Sequence, residues 1–275
     1  MASSAIYTQE KFLCDKFDIN SVSSLSLFLY DHYSFLTAKD QNGKVLAVNV
    51  QTFSDLEELT DLLQNDDLYQ LDLPTKVFVH NSTFSLVPGA LFNTAFLNTY
   101  IAFAGDNTNV STYESALQSN AIHLVGGIST DSYNKLVQGK GSVQFYHGAV
   151  SFLSYCLNEK PNLLNQEILI YYFDSHFYLA AFSNQELMVF NRFDAFDKED
   201  ILKYIFGVIQ QLNFNRKLCR INFFGDAESM EIDKVWGENY FKNFKISIPQ
   251  SNIHYHEGPD KILQSPAFES RWEFI

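Results

Sequence analysis

Cysteine is scarce in this chain, basic charge is in deficit, and long apolar runs are missing. Three cysteines, Cys14, Cys156 and Cys219, are scattered over 275 residues. An odd, sparse set excludes a disulfide framework and fits a reducing compartment, so the expected location is the cytoplasm. Against 32 Asp and Glu stand 19 Lys and Arg, a formal net charge of -13. That excludes a general nucleic-acid surface, which needs concentrated positive charge, and disfavours anionic membrane surfaces. Arg216, Lys217 and Arg220 are too few to make a basic patch. The longest charge-free tract, Val77 to Gly105, is broken by His80, Asn81, Pro88 and Gly89, so direct membrane insertion is not expected. The first twenty residues carry Glu10, Lys11, Asp15, Lys16 and Asp18 and do not resemble a secretory signal.

Several catalytic signatures are also missing. Gly139-Lys140-Gly141 lacks the spacing of a phosphate loop. Ser151 and Ser154 have no G-x-S-x-G context, and the spacing of His147 and Cys156 does not indicate a nucleophile pair. His254 and His256, with Glu257, are the closest histidine pair and read as a polar terminal loop rather than a zinc site.

What is present is core-forming material in a repeated order. Hydrophobic residues make up 46% of the chain, with 26 Phe and 15 Tyr. Leu25 to Asp31 reads L-S-L-F-L-Y-D, and half a chain later Ile168 to Asp174 reads I-L-I-Y-Y-F-D. Each is followed by a second strand-like run, a polar turn, a third run and a helix. In the first copy, Asn42-Gly43 predicts a two-residue hairpin turn. Val45 to Thr52 is the third strand, and Ser54-Asp-Leu-Glu57 reads as a capping box. In the second copy, Ser183-Asn184 turns into Glu186 to Phe193, and Asp197 caps a helix whose apolar face runs from Ile201 to Leu212.

Between the copies the pattern is weaker. Pro88 predicts a helix through Asn98, Gly105 to Ser119 is loop-rich and gives no assignment, and Ala121 to Val125 reads as a strand ended by Gly126-Gly127. After the second copy, Leu218 to Phe224 is a strand ending at Gly225-Asp226. A short acidic helix is expected at Glu228 to Val235, a late strand at Lys245 to Ile248, and a terminal helix at Ser265 to Trp272. The fold class expected is α/β: two mixed sheets flanked by helices, in lobes 1–160 and 161–275 with a cleft between them.

The order β-β-β-α-β-α, twice, resembles the actin-like ATPase superfamily with its ribonuclease-H-like core. More closely, the chain resembles the DUF3822 family of Bacteroidetes. The supporting segments are Phe17 to Tyr30, Val87 to Phe92, Tyr172 to Leu187, helix Asp197 to Leu212 and the run I-N-F-F-G-D at Ile221 to Asp226. The resemblance implies a duplicated actin-like fold related in shape to pilus and secretion assembly proteins such as PilM and GspL. In active members, an Asp at the end of the first strand precedes a Gly-rich turn that wraps phosphate. The matching residues are Asp31 and Asp174, followed by His32-Tyr33-Ser34 and Ser175-His176-Phe177 without glycine. Backbone N–H groups reach an anion most closely where no Cβ intervenes, so these turns fit phosphate poorly.

Asp31, Asp174, Gly126, Gly127 and Gly225 are the candidate cofactor-binding residues, with nucleotide as the ligand if there is one. No catalytic or metal-binding residues are assigned. The acidic run Asp226, Glu228, Glu231 and Asp233 would serve a metal-dependent nuclease only if its carboxylates converged. The expected function is a non-catalytic scaffold for protein interaction or assembly. Its partner is an unidentified protein, a homodimer being left open, and the aromatic surfaces are the candidate contacts. The alternative is a divergent nucleotide-binding protein with weak or no ATPase activity.

Overall fold

The computed structural model describes residues 10–105 and 107–275. They divide into two compact units. The first takes the described residues up to Val150 together with Ile253–Gln264, and the second takes Ser151–Asn252 and Ser265–Ile275.

The first unit opens with β1 (Glu10–Leu13), β2 (Ser24–Leu29), β3 (Tyr33–Lys39) and β4 (Val45–Thr52), then α1 (Leu56–Gln64) and β5 (Thr75–Val79). An inserted stretch follows: β6 (Phe84–Pro88), α2 (Leu97–Ala102), β7 (Val110–Leu117), β8 (Ile122–Ser129) and α3 (Thr130–Val137), before β9 (Val143–His147). The main sheet has the order β1-β4-β3-β2-β5-β9, and the insert forms a separate sheet, β6-β8-β7. α4 (Ala149–Asn158) contains the division between the units. The second unit continues with β10 (Gln166–Phe173), β11 (His176–Ser183), β12 (Glu186–Asp194), α5 (Lys198–Gln211), β13 (Arg220–Gly225), α6 (Lys234–Tyr240) and β14 (Asn243–Ile246). Its sheet runs β12-β11-β10-β13-β14.

Both main sheets share one wiring. Three antiparallel strands are joined by hairpins, and two more strands are added in parallel beside the first. This is the duplicated ribonuclease-H-like arrangement of mixed sheets and helices that the repeat predicts. The local chemistry repeats too. Asp55 accepts the Glu58 N–H at 2.9 Å while Glu58 reaches back to the Ser54 N–H at 2.8 Å. Asp197 accepts the Asp200 N–H at 2.9 Å while Asp200 reaches back to the Phe196 N–H at 3.2 Å. The first cap therefore sits one residue later than the sequence pattern places it, because Asp55 rather than Ser54 adopts the extended cap conformation.

Packing repeats across the sheets as well. In the first unit Phe35, Phe28, Phe78 and Tyr146 form a row of stacked rings over β3, β2, β5 and β9, with centroids 4.6, 4.8 and 5.1 Å apart. In the second unit Phe190, Tyr178 and Tyr171 stack across β12, β11 and β10 at 6.0 and 6.2 Å. Register fixes these rows, since Phe28 faces Phe35 and Tyr171 faces Tyr178 as direct cross-strand partners. On the opposite face of the second sheet, Ile201, Ile205 and Val208 of α5 pack on Ile168, Ile170, Leu179 and Phe223.

The insert differs from expectation. Phe84 to Pro88 is a strand, with only two single-turn 3₁₀ segments before the short α2, and the stretch that the sequence leaves unassigned contains the strand Val110–Leu117. Asn42 keeps an ordinary φ; Gly43 alone is left-handed, and Asp40 closes the wider turn by accepting the Asn42 and Lys44 N–H groups. The acidic stretch from Glu228 is turn, with α6 beginning only at Lys234. β14 starts at Asn243, and the terminal segment forms 3₁₀ turns at Pro259–Gln264 and Phe268–Ser270 instead of one helix. Among the described residues no helix is long and apolar enough to cross a membrane.

Candidate functional site

In the first unit, β2, β5 and β9 run parallel and end together, carrying Asp31, His80 and Gly148 just beyond them. Asp31 is exposed in the bend between β2 and β3. That bend is closed by its own backbone: the Tyr30 N–H donates to the Tyr33 carbonyl at 2.8 Å, and the Phe53 N–H to the His32 carbonyl at 3.1 Å. Behind it, the buried His80 ring stacks on Tyr30 at 4.0 Å. A Cβ at Gly148 would lie 2.1 Å from the His80 ring, so the close approach which only glycine permits here is used by an imidazole. His147, fully buried, directs Nε2 at the Asn81 carbonyl at 3.0 Å, and its Nδ1 accepts the Ala149 N–H at 3.2 Å. These partners fix a neutral tautomer with the proton on Nε2.

Gly126 and Gly127 do not end a strand. Both lie inside β8, where Gly126 faces Phe84 on one side and Tyr113 on the other. A Cβ on Gly126 would come within 2.4 Å of the Tyr113 ring, and one on Gly127 within 2.6 Å of Val110. Their lack of side chains is filled by neighbours. The Gly127 backbone is engaged as well, its N–H donating to the Thr83 carbonyl at 3.0 Å and its carbonyl accepting from Asn81 Nδ2 at 2.8 Å.

In the second unit, β10 and β13 bring Asp174 and Gly225 to one end of the sheet. Asp174 and Ser175 have φ of 51° and 67°, forming the left-handed pair of a tight hairpin. Gly225 has φ of 90°, and a Cβ there would strike the Tyr172 carbonyl oxygen at 2.0 Å, so this glycine lets two backbones meet. Asp226 follows and caps its own turn, accepting the Ser229 N–H at 3.1 Å. Burial, reinforced by the Asp226 and Asp174 carboxylates, pushes the Tyr172 phenol up. Asp174 and Asp226 thus place two carboxylates at this end of the sheet.

The remaining carboxylates do not converge. Asp233 caps α6 through the Trp236 N–H at 2.7 Å, and Glu231 pairs with Lys198 at 3.0 Å. Among the described residues no group of three or more His, Cys, Asp or Glu is placed to hold a metal ion. Burial holds the Cys156 thiol well above its usual range and pushes Cys219 up to about 12, so neither is a ready nucleophile.

A family model described as "Protein of unknown function (DUF3822)" matches residues 16–244. The chain belongs to the DUF3822 family. A crystal structure from Bacteroides thetaiotaomicron, described as a protein with actin-like ATPase fold and unknown function, superposes with a TM-score of 0.74 at 15% identity. The match covers 84% of this chain and 93% of that one. The PilM-PilN type IV pilus biogenesis complex gives a TM-score of 0.58 at 10% identity, over 91% and 96% of the two chains. At these identities the likeness establishes the fold, and the fold is actin-like. A search of curated proteins finds no match.

In this DUF3822 chain the five candidate residues thus fall into three settings. Asp31 is an exposed turn residue, Asp174 and Gly225 share a strand-end pair of turns, and Gly126 and Gly127 are packing glycines of the insert. His80, Asn81 and Gly148 occupy the strand ends beside Asp31 and were not singled out from the sequence. The available signal was slight: Gly148 directly follows a histidine at a strand-to-helix junction.

Proposed function

We propose that this chain is a non-catalytic actin-like protein that acts as a protein-interaction or assembly scaffold. One observation carries the reading. Neither Asp-ended turn contains glycine, and in both a turn carbonyl is tied to the segment that follows the third strand, with the Ala195 N–H donating to the Ser175 carbonyl at 3.1 Å in the second as the Phe53 N–H does to His32 in the first. Without glycine, a side chain stands at each turn position where a phosphate would have to approach the backbone N–H groups, and preorganised donors are what a phosphate-transfer site needs. The fold likeness to a protein found in the PilM-PilN complex supports an assembly role. The three free cysteines support a reducing compartment, and the cytoplasm is the proposed location.

The test is titration with ATP and Mg²⁺, following thermal unfolding and phosphate release together. A micromolar site at millimolar nucleotide would add about 4 kcal/mol to stability, a shift of several degrees. The expected outcome is no shift and no release from a cooperatively folding protein. Saturable stabilisation lost in Asp31→Asn or Asp174→Asn would replace the scaffold with a nucleotide-binding protein. Crosslinking in the native cell, followed by reconstitution with the captured protein, would then supply the partner.

A further inference from the structure

The two main sheets differ by one strand. β4 and β12 hold the same place, outermost of the three hairpin strands, and both carry a bulge at the same point: the pairing skips Leu46 in β4 and Met188 in β12. Past the bulge the registers match. Phe35 opposes Val50 as Tyr178 opposes Arg192, and Ala38 opposes Ala47 as Ala181 opposes Val189. On β4, the stretch from Ala47 to Val50 is where β1 adds itself antiparallel, Leu13 beside Ala47 and Glu10 beside Val50. The matching stretch, Val189 to Arg192, lies on the strand that ends its sheet among the described residues.

Burial follows this difference. Val45 to Gln51 are buried, whereas no residue of β12 is, and Met188 is 51% exposed. An end strand presents a row of backbone donors and acceptors, and proteins blunt such edges with short strands, lysine or proline. β1 does so, with four residues and an exposed Lys11. β12 does not: it runs for nine residues, E-L-M-V-F-N-R-F-D, without lysine or proline. Its bulge is no barrier, because the equivalent bulge in β4 directly precedes the stretch that β1 joins. The Arg192 N–H donates to Asn191 Oδ1 at 2.9 Å, a local contact that a guest carbonyl can replace.

We propose that β12 accepts an added antiparallel strand along Val189 to Arg192, supplied by an extended segment of another protein that carries a basic residue and, four residues on, an aromatic one. The repeat sets direction and register, and it puts a guest residue beside Phe190 where Phe12 stands beside Val48. An aromatic there forms a cross-strand ring pair and prolongs the row of Tyr171, Tyr178 and Phe190. Four residues earlier in the guest, the same pairing brings a side chain opposite Asp194. Arg192 meets that carboxylate at 3.0 Å, yet the Asp194 side chain is 66% exposed, so a guest cation is favoured. A second copy fits badly. Pairing β12 with itself about Phe190 sets Glu186 against Asp194 at both ends, and each chain carries a net charge of -13. The proposal gives the scaffold reading its contact surface and rests on that reading for the role of the partner.

The probe is a short labelled peptide of threonine and valine with a lysine and, four residues on, a phenylalanine, titrated into the whole chain by fluorescence anisotropy. It should bind saturably with a Kd below about 1 mM and slow amide exchange within residues 189–194. Replacing its lysine by glutamate, or scrambling its order, should weaken binding at least about tenfold. Two further versions carry N-methyl groups on alternate amides, in the two possible phases. A strand aims successive amides to opposite sides, so one phase should abolish binding and the other keep it. Asp194→Lys, at an exposed position, should reverse the preference between the lysine and glutamate peptides. The proposal is overturned by no saturable binding, by equal behaviour of the two N-methylated phases, by exchange protection elsewhere, or by a chain that is already dimeric with β12 protected. If Asp194→Lys fails to fold, the two N-methylated peptides decide alone. Nucleotide titration tests the scaffold reading separately, so a β12 that takes no peptide leaves that reading standing.

Discussion

Lys140 shows how one residue can set a pH dependence. Its ammonium donates to the Tyr69 and Leu71 carbonyls, the latter at 2.9 Å, and sits 4.2 Å from the centroid of the Tyr69 ring. Burial lowers its pKa to about 8, against the opposing pull of the Asp72 and Asp66 carboxylates. In the unfolded chain the same lysine keeps an ordinary value near 10.4. Between those values the unfolded state binds more protons, so this group adds stability as pH rises through the window from about 8 to 10. Below about pH 8 its contribution is at its most unfavourable. Buried phenols such as Tyr69 and Tyr113 act in the opposite sense at higher pH, since burial raises them and unfolding would let them ionise. Comparison with Lys140→Met isolates the lysine. Denaturant unfolding at pH 7.5 and 9.5 should show the wild type gaining on the variant over that interval, as the linkage sign requires. A constant difference between them would mean that the lysine is solvated and the burial argument is wrong.

At the scale of elements, the informative case is β8. Its glycine pair was legible as special but not as what it is, because the reason lies on another strand. Tyr113 of β7 lays its ring over Gly126 and also packs against Phe145 at 5.8 Å. Gly126→Ala should therefore lower stability by about 1–3 kcal/mol through overpacking. Adding Tyr113→Leu should make the glycine change nearly neutral, a coupling that a double-mutant cycle measures directly. Additive losses would show that Gly126 is needed for its backbone and not for the space above it.

The hairpins and capped helices were readable because their determinants are local: alternation, turn residues at Asp31, Gly43 and Asn184, and a cap at Asp197 within four residues of the group it binds, whereas the first cap reads from the sequence at Ser54, one residue before Asp55. β6 and β7 were not readable, since Pro88 also reads as a helix opener and Ser111, Thr112 and Ser115 blur the alternation until β8 supplies its partner faces. The one-strand difference between the sheets was still less legible. It depends on β1 reaching β4 past β2 and β3 in sequence, and nothing within β12 itself marks its outer side as the end of a sheet.

For the whole molecule, the decisive fact is that neither unit is continuous in sequence. The stretch Ile253–Gln264 returns to the first unit and Ser265–Ile275 to the second. In the first, the Val45 N–H donates to the His254 carbonyl at 2.8 Å, the His256 N–H donates to the Val45 carbonyl at 3.0 Å, and His256 Nε2 lies 3.3 Å from Asp40. Ile262 is buried, and a Cβ at Gly258 would lie 2.3 Å from the Leu13 carbonyl, so the segment presses closely on the end of β1. In the second, Phe268 meets Phe152 and Tyr155 edge-on at 5.3 Å each, and its N–H donates to Tyr171 Oη at 3.0 Å. Trp272 stacks edge-on to Tyr155 at 5.2 Å and donates to Ser154 Oγ at 3.2 Å. These last residues therefore close one end of the aromatic row repeated from the first unit, which makes them core and not tail. Phe268→Ala should cost about 3–5 kcal/mol, the usual range for emptying a buried phenylalanine site. A chain ending at Asn252 should lose more than that, because it also strips the first unit of the strand-like pairing at Val45. Thermal melts followed by circular dichroism and by near-ultraviolet aromatic signal would show the loss in both. A truncated chain that melts with the full-length protein would mean that each unit is already complete without its returning segment.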